Sequence, residues 1–349
     1  MGRNVLLALG LFIALILLAA GGGAAAGGSG SGVEGALKAQ ERHTDELIRK
    51  RAVVGTATGL ADDGTAVVEV YTTKGQVGGI PPRLDGIPVE VKLTGRLSAL
   101  HHRPGHSGGP GGGGGGEPSP TEPSPTDRWS RPVPIGISTG NQGECSAGTI
   151  GARVTGGGQV YALSNNHVYA LENEASIGSN VLQPGRYDTG CAVNPDDVLG
   201  QLSDYEPLRF NGQNNVMDAA IAITSTTSLG NATPADGYGA PSSAAVAPAL
   251  GQAVQKYGRT TALTEGTVTG INATVNISYG AGVARFVDQV IVESRKPYIK
   301  SGDSGSLGVT SPGRNPVALL FAGNSSGKLA VANRIDRVLS RFAVAVDGD

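Results

Sequence analysis

The chain has 349 residues, room for a small domain followed by a protein of double-barrel size, and its 56 glycines, 20 prolines and 16% charged residues point to turn-rich β structure rather than a helical bundle. A formal net charge of −2, without clustered Lys and Arg, argues against a nucleic-acid partner. Two cysteines are too few to build a metal site.

Arg3 precedes an unbroken apolar run over 5–20, and Gly- and Ala-rich sequence follows, with small residues at Ala24 and Ala26. This predicts an export signal over 1–32, either cleaved just after Ala26 or kept as a signal anchor. The protein is then secreted or held at the outer face of the membrane by residues 5–26, its one expected membrane contact.

Residues 33–98 read as a small α+β accessory or propeptide-like domain. A helix is predicted over 34–51, mostly polar with Leu47 and Ile48 as its main apolar pair, with strand-like runs at 52–60, 68–71 and 87–93. Asp62-Asp63-Gly64 and Pro81-Pro82 supply the turns. Residues 99–132 are Gly/Pro-rich with almost nothing to bury, a linker that lets the two folded parts move independently. His101, His102 and His106 fall within it and read as solvated residues rather than metal ligands.

From 133 to 349, short apolar runs alternate with Gly, Asn, Asp and Pro turns, as in all-β sandwiches or barrels. The runs are 149–154, 160–163, 219–224, 266–268, 287–292 and 317–321. Ile335, Val338, Leu339 and Phe342 recur at helical spacing behind Asn333, a suitable N-cap, so a short helix closes the chain. Cys145 and Cys191 fit one disulfide in an exported chain or two buried thiols, and spacing alone does not choose.

Three segments carry chemistry. Ser301-Gly302-Asp303-Ser304-Gly305-Ser306 is a tight turn able to project a serine hydroxyl toward a base, with backbone N–H groups beside it for an oxyanion. An apolar strand over 160–163 runs out into His167, the one histidine outside the linker besides His43, which sits in the polar helix. Asp218 opens the small apolar strand 219–224, where a carboxylate can accept the histidine's Nδ1–H and fix its tautomer. Asp188, Asp196, Asp197 and Asp204 also lie between histidine and serine, but in turn-like polar sequence.

The order His167, Asp218, Ser304, with LSNNHV, MDAAIA and SGDSGS around the three, resembles the trypsin-like serine proteases over about 135–342. CSAGTIGARV, YALSNNHVYA, KYGRTTALTEGTV and PVALLFAGN further resemble a bacterial branch of trypsin-like peptidase-domain proteins related to the narrow-leaf-type proteases of plants. The resemblance implies a chymotrypsin-like double β-barrel over 133–349. It also implies an oxyanion hole from the N–H groups of Gly302 and Ser304, and a substrate-pairing strand at Phe321, Ala322 and Gly323. Tyr298 and its neighbours, with the strand near Gly323, then line the specificity pocket, and the sequence does not define its preference.

Three departures from that pattern matter. Val168 stands where many members carry a half-cystine, so Cys145 pairs with Cys191 or with nothing. Ser306 replaces a frequent glycine. No activation site of the Ile-Val-Gly-Gly type precedes the first barrel, so Asp303 needs a buried donor other than a new N-terminus; Arg259 is one candidate, although its GRTT segment better suits a structural β-turn. The implied function is hydrolysis of polypeptides through an acyl-enzyme, without cofactor. Two other readings stay open: a protease-fold protein that binds a partner without turnover, and an esterase using the same triad.

Overall fold

The computed structural model describes residues 29–100 and 123–349. The apolar part of the predicted export signal and the glycine-rich part of the predicted linker, with His101, His102 and His106, lie outside the described residues. Among those described, no helix is long and apolar enough to cross a membrane.

The first stretch holds α1 (Ser29–Ile48), β1 (Val53–Leu60), β2 (Ala66–Thr72), β3 (Arg83–Leu84), β4 (Ile87–Leu93) and β5 (Leu97–Ala99). The second begins with β6 (Ser138–Asn141), β7 (Gly148–Thr149), β8 (Ala152–Gly156), β9 (Gln159–Ser164), α2 (Asn166–Tyr169), β10 (Asn180–Leu182), β11 (Val198–Tyr205), β12 (Asn214–Asn215) and β13 (Ala220–Thr224). It continues with β14 (Ala253–Gly258), β15 (Ala262–Ser278), β16 (Val283–Glu293), β17 (Leu307–Thr310), β18 (Pro316–Asn324), β19 (Leu329–Arg334), α3 (Ile335–Phe342) and β20 (Ala345–Val346).

The protein is mostly β, in two sheets. One runs β20-β8-β9-β13-β11-β10-β6-β7. In the other, β16-β19-β18-β17-β14-β15 follow in order and β15 pairs back onto β16, closing a ring. The double barrel implied by the sequence thus takes the form of one closed ring and one open sheet. Helix α3 joins them: its buried Ile335, Val338 and Phe342 share a cluster with Leu163 and Val154 of the open sheet and Leu319 and Val309 of the ring.

Residues 33–98 contain the predicted helix and strands, but their strands do not form a separate sheet. β1 lies antiparallel to β15, from Gly55↔Val275 to Gly59↔Gly270, and β2 and β4 extend the same sheet. The free movement expected across the linker does not hold, because sheet hydrogen bonds tie the two parts. The reason lies in β15, whose 17 residues outrun β14: that strand pairs only with 262–267, and β1 takes the backbone beyond. Close approach requires glycine at 55, where a Cβ would lie 2.6 Å from Val275 Cγ1.

The two parts also share a core. Ala57, Tyr71 and Leu97 cluster with Val275, Phe286 and Phe321, at roughly 1.5–3 kcal/mol for each large side chain buried. Helix α1 docks with a mixed face, Ala36, Ala39 and Leu47 buried beside Gln40 and Thr44, which is why the sequence shows so thin an apolar stripe. Gln40 Nε2 donates to Thr56 Oγ1 at 3.0 Å, and Thr44 meets the same hydroxyl at 2.7 Å.

Candidate active site

At the end of β9, Asn165 is extended and the single turn of α2 brings His167 back over the sheet. Because Ala220 of β13 pairs with Ser164 of β9, Asp218 arrives opposite that turn. His167 Nδ1 lies 2.5 Å from Asp218 Oδ2, and the backbone N–H of His167 donates to Asp218 Oδ1 at 3.1 Å. Both side chains are wholly buried. Asp218 is fixed through its backbone as well. Its carbonyl accepts from Asn165 Nδ2 at 2.7 Å and Asn333 Nδ2 at 3.0 Å, and its N–H donates to Asn333 Oδ1 at 2.9 Å. Asn333 therefore does not cap α3 as its sequence position suggests. The cap residue is Arg334, without a side-chain bond, and the Asn333 amide is spent on Asp218.

A further residue completes this pair. Tyr279, at the tip between β15 and β16, donates its hydroxyl to Asp218 Oδ2 at 2.7 Å, its ring edge-on to His167 with centroids 5.9 Å apart. Burial first, then the Asp218 carboxylate, holds the phenol well above its ordinary pKa, so it remains a donor. The tip is held by buried Glu172, which accepts from the N–H groups of Gly280 and Ala281 at 3.2 and 2.7 Å. On the reading that His167 is a base oriented by Asp218, Tyr279→Phe is expected to lower kcat roughly ten-fold with KM unchanged, the cost of one hydrogen bond to a buried charge; steady-state kinetics read both.

The rival aspartates are engaged elsewhere. Asp197 is bound by Arg128, Asp204 by Arg341 at 2.8 Å, and Asp188 by Arg259. Asp196 stands exposed with its N–H on the Asn194 side chain.

The serine turn packs against the same sheet. Ser304 O accepts from Thr149 N at 2.8 Å, and Ser304 Oγ donates to Phe321 O at 3.1 Å. Gly305, at φ +94°, admits no Cβ, since one would lie 2.2 Å from Ser164 Oγ. A Cβ at Gly148 would lie 2.5 Å from Val168 Cγ2 and 3.1 Å from Ser304 O, so a bare Gly148 lies between the serine turn and the residue after His167.

Asp303 is buried without help from a chain terminus. Its Oδ1 accepts from Thr260 N at 2.8 Å and Thr261 N at 3.1 Å, and its Oδ2 accepts from Thr261 Oγ1 at 2.7 Å and Lys300 N at 2.8 Å. The Lys256 ammonium lies 3.6 Å away, both side chains fully buried. Arg259 is not the donor: its guanidinium turns to Asp188, leaving only the backbone of its turn to Asp303. Desolvation pulls the Lys256 pKa down and Asp303 partly offsets this. Lys256→Met removes the cation beside a buried carboxylate beneath the serine turn, so urea unfolding is expected to show a loss of about 3 kcal/mol.

Residues predicted to receive substrate meet a segment of the chain itself. β5 runs antiparallel to β18, with Ala99↔Ala322, Ser98↔Gly323 and Leu97↔Asn324. Leu100 N–H donates to Phe321 O at 3.3 Å, and Gly302 N–H donates to Leu100 O at 2.5 Å. The Leu100 side chain packs beside Tyr298 and Ile299, its Cδ1 3.0 Å from where a Cβ on Gly323 would stand. Tyr298, Phe321, Ala322, Gly323 and Gly302 are thus brought together around residues 97–100. Cys145 and Cys191 are joined as a disulfide, with Cα atoms 5.0 Å apart.

Sequence reasoning missed Tyr279, Asn333, Lys256 and the segment 97–100. For Tyr279 a signal existed, since SYGAG places a large aromatic in a glycine-rich turn.

No protein-family profile and no curated protein matches the chain. Among solved structures it is similar to a glutamic acid specific serine protease that uses a histidine triad in substrate binding, at 23% identity over 61% of this chain and 100% of that one, TM-score 0.46. It is similar also to Thermobifida fusca Protease A, at 19% identity over 62% and 99% of the two chains, TM-score 0.45. A Nocardiopsis protease gives 19% identity over 61% and 98%, TM-score 0.44.

Proposed function

We propose that the chain is a serine endopeptidase in which Ser304 is the nucleophile, His167 the general base and Asp218 the group that orients His167, with the N–H groups of Gly302 and Ser304 receiving the oxyanion. One observation carries this reading: an extended peptide segment lies in strand register on β18 with its last carbonyl on Gly302 N–H, beside Ser304. A polypeptide in that pose favours peptide over ester as the natural substrate. The buried His167–Asp218 pair, with Tyr279 behind it, supports turnover rather than binding alone. The Cys145–Cys191 disulfide supports export to an oxidising compartment. The narrower kinship with plant proteases rests on sequence motifs alone.

The test is reaction of the full chain with a fluorophosphonate, followed by mass spectrometry of the peptide containing Ser304. An adduct on Ser304 is expected, and faster in Leu100→Asp, whose charged side chain is expelled from the apolar pocket. No adduct in either protein sinks the assignment.

A further inference from the structure

We infer that Arg259, held by Asp188, is the positioning residue that aims the Gly302 N–H at the oxyanion, acting through the hydroxyls of Thr260 and Thr149. This rests on the endopeptidase reading above. Gly302 sits at φ +96° with no Cβ, so the peptide planes on either side of it turn easily unless something holds them. The plane between Ser301 and Gly302 carries the Ser301 carbonyl and the Gly302 N–H, which point opposite ways across a trans peptide. Whatever grips the oxygen therefore sets the direction of the N–H. Thr260 Oγ1 donates to Ser301 O at 2.7 Å. On the far side of the glycine, Thr149 Oγ1 donates to Gly302 O at 2.8 Å.

Both hydroxyls face Arg259. Its Nη1 donates to Thr260 Oγ1 at 3.0 Å, and its backbone N–H donates to Thr149 Oγ1 at 3.0 Å. A hydroxyl has one hydrogen, and with Arg259 supplying a donor to each oxygen, both hydrogens are directed to the carbonyls flanking Gly302. The arginine stem also lies under the glycine. A Cβ on Gly302 would stand 2.7 Å from Arg259 Nη1 and 2.9 Å from Arg259 Cδ.

Arg259 is fixed in turn from the open sheet. Its Nε donates to Asp188 Oδ2 at 2.9 Å and its Nη2 to Asp188 Oδ1, with both side chains only 6% exposed. The guanidinium lies over the Tyr187 ring, 5.5 Å from its centroid. Asp188 belongs to the turn Arg186–Thr189, tethered just beyond by the Cys145–Cys191 disulfide. Ser138 of β6 donates its hydroxyl to Asp188 Oδ2 at 2.5 Å and accepts from Gly185 N–H at 3.0 Å. A carboxylate that the triad does not use thus reaches across to the serine turn. The benefit is chemical: an N–H already aimed where negative charge develops needs no rearrangement as the tetrahedral intermediate forms. Thr260 is exposed, so water competes for Ser301 O, and the buried Asp188–Arg259 pair is what keeps the hydroxyl in place.

Steady-state kinetics and the rate of Ser304 phosphonylation by a fluorophosphonate, both on the full chain, test this. Thr260→Val keeps the side-chain shape and the backbone N–H that serves Asp303. It is expected to lower kcat roughly ten-fold with KM unchanged, the worth of one hydrogen bond. Thr260→Ser, which keeps the hydroxyl, recovers most of that loss. Arg259→Ala removes both the Nη1 bond and the stem beneath Gly302, and kcat is expected to fall roughly 100-fold. Guanidinium ion, added well below the concentration that unfolds the protein, restores a large part of kcat in Arg259→Ala and none in Thr260→Val. Phosphonylation slows in step with kcat in each variant. Wild-type kcat in Thr260→Val overturns the inference, and normal labelling of Ser304 in that chain leaves the endopeptidase standing. A fall in kcat in Arg259→Ala that tracks the urea midpoint and ignores guanidinium marks a merely structural role and also overturns it. A wild-type chain whose Ser304 takes no fluorophosphonate brings down both readings.

Discussion

Replacing Ser304 by alanine is expected to lower peptide turnover by roughly a million-fold, because nucleophile and base act as a unit and neither retains value without the other. What remains is the rate that binding on β18 and the Gly302 N–H supply without covalent chemistry. The fold should tolerate the change. The serine hydroxyl donates to Phe321 O, which also accepts from Leu100 N, so no buried carbonyl is orphaned and the stability cost stays within about 1 kcal/mol. Turnover of a leucine-containing peptide by the full chain, alongside urea unfolding, separates lost chemistry from lost structure.

Asp218→Asn is the second large effect, about 10⁴-fold in kcat with KM unchanged. The cause can be read atom by atom. Asp218 Oδ1 faces the backbone N–H of His167, which can only donate, so the oxygen of an asparagine must point there. Its NH₂ then faces His167 Nδ1 and the Tyr279 hydroxyl. The hydroxyl can rotate to accept. The imidazole can accept only by moving its proton to Nε2, the atom that has to take the proton from Ser304. The backbone bonds of Asp218 to Asn165 and Asn333 survive, so the folded structure persists. A melting curve like the wild type with kcat collapsed is the expected pairing, and a comparable loss in both would point to a structural role.

How much of this was legible in the sequence follows how local each signal is. Ser304, His167 and Asp218 each sit where a short run announces its context: a glycine-flanked turn, a strand running out, a strand beginning. Tyr279 and Asn333 reach Asp218 from 61 and 115 residues away, and no pattern nearby records that they do. Asn333 was read by a local rule as a helix cap. The rule named a residue with a free amide in the right place, and a buried backbone with stronger need of it took that amide. Arg259 shows the same limit: sequence places it near the nucleophile turn but does not choose between Asp303 and Asp188. The strands at 53–60 and 66–72 were legible as strands, yet periodicity carries no information on which neighbour they join. Their membership in the ring's sheet depended on the surplus length of β15. The last element of that stretch, Leu97–Ala99, is too short to stand out at all.

That surplus length has one more consequence. Over 270–275, the edge of β15 turned away from β16 is paired by β1, and Val275 there shares a cluster with Ala57 and Tyr71. Stripping residues 29–100 away would leave a row of unpaired N–H and C=O groups next to bare apolar surface, the combination from which intermolecular sheets grow. The N-terminal part is therefore a cover for that edge. A chain without it would bare that edge and its apolar flank together, and is expected to aggregate more readily than the full chain.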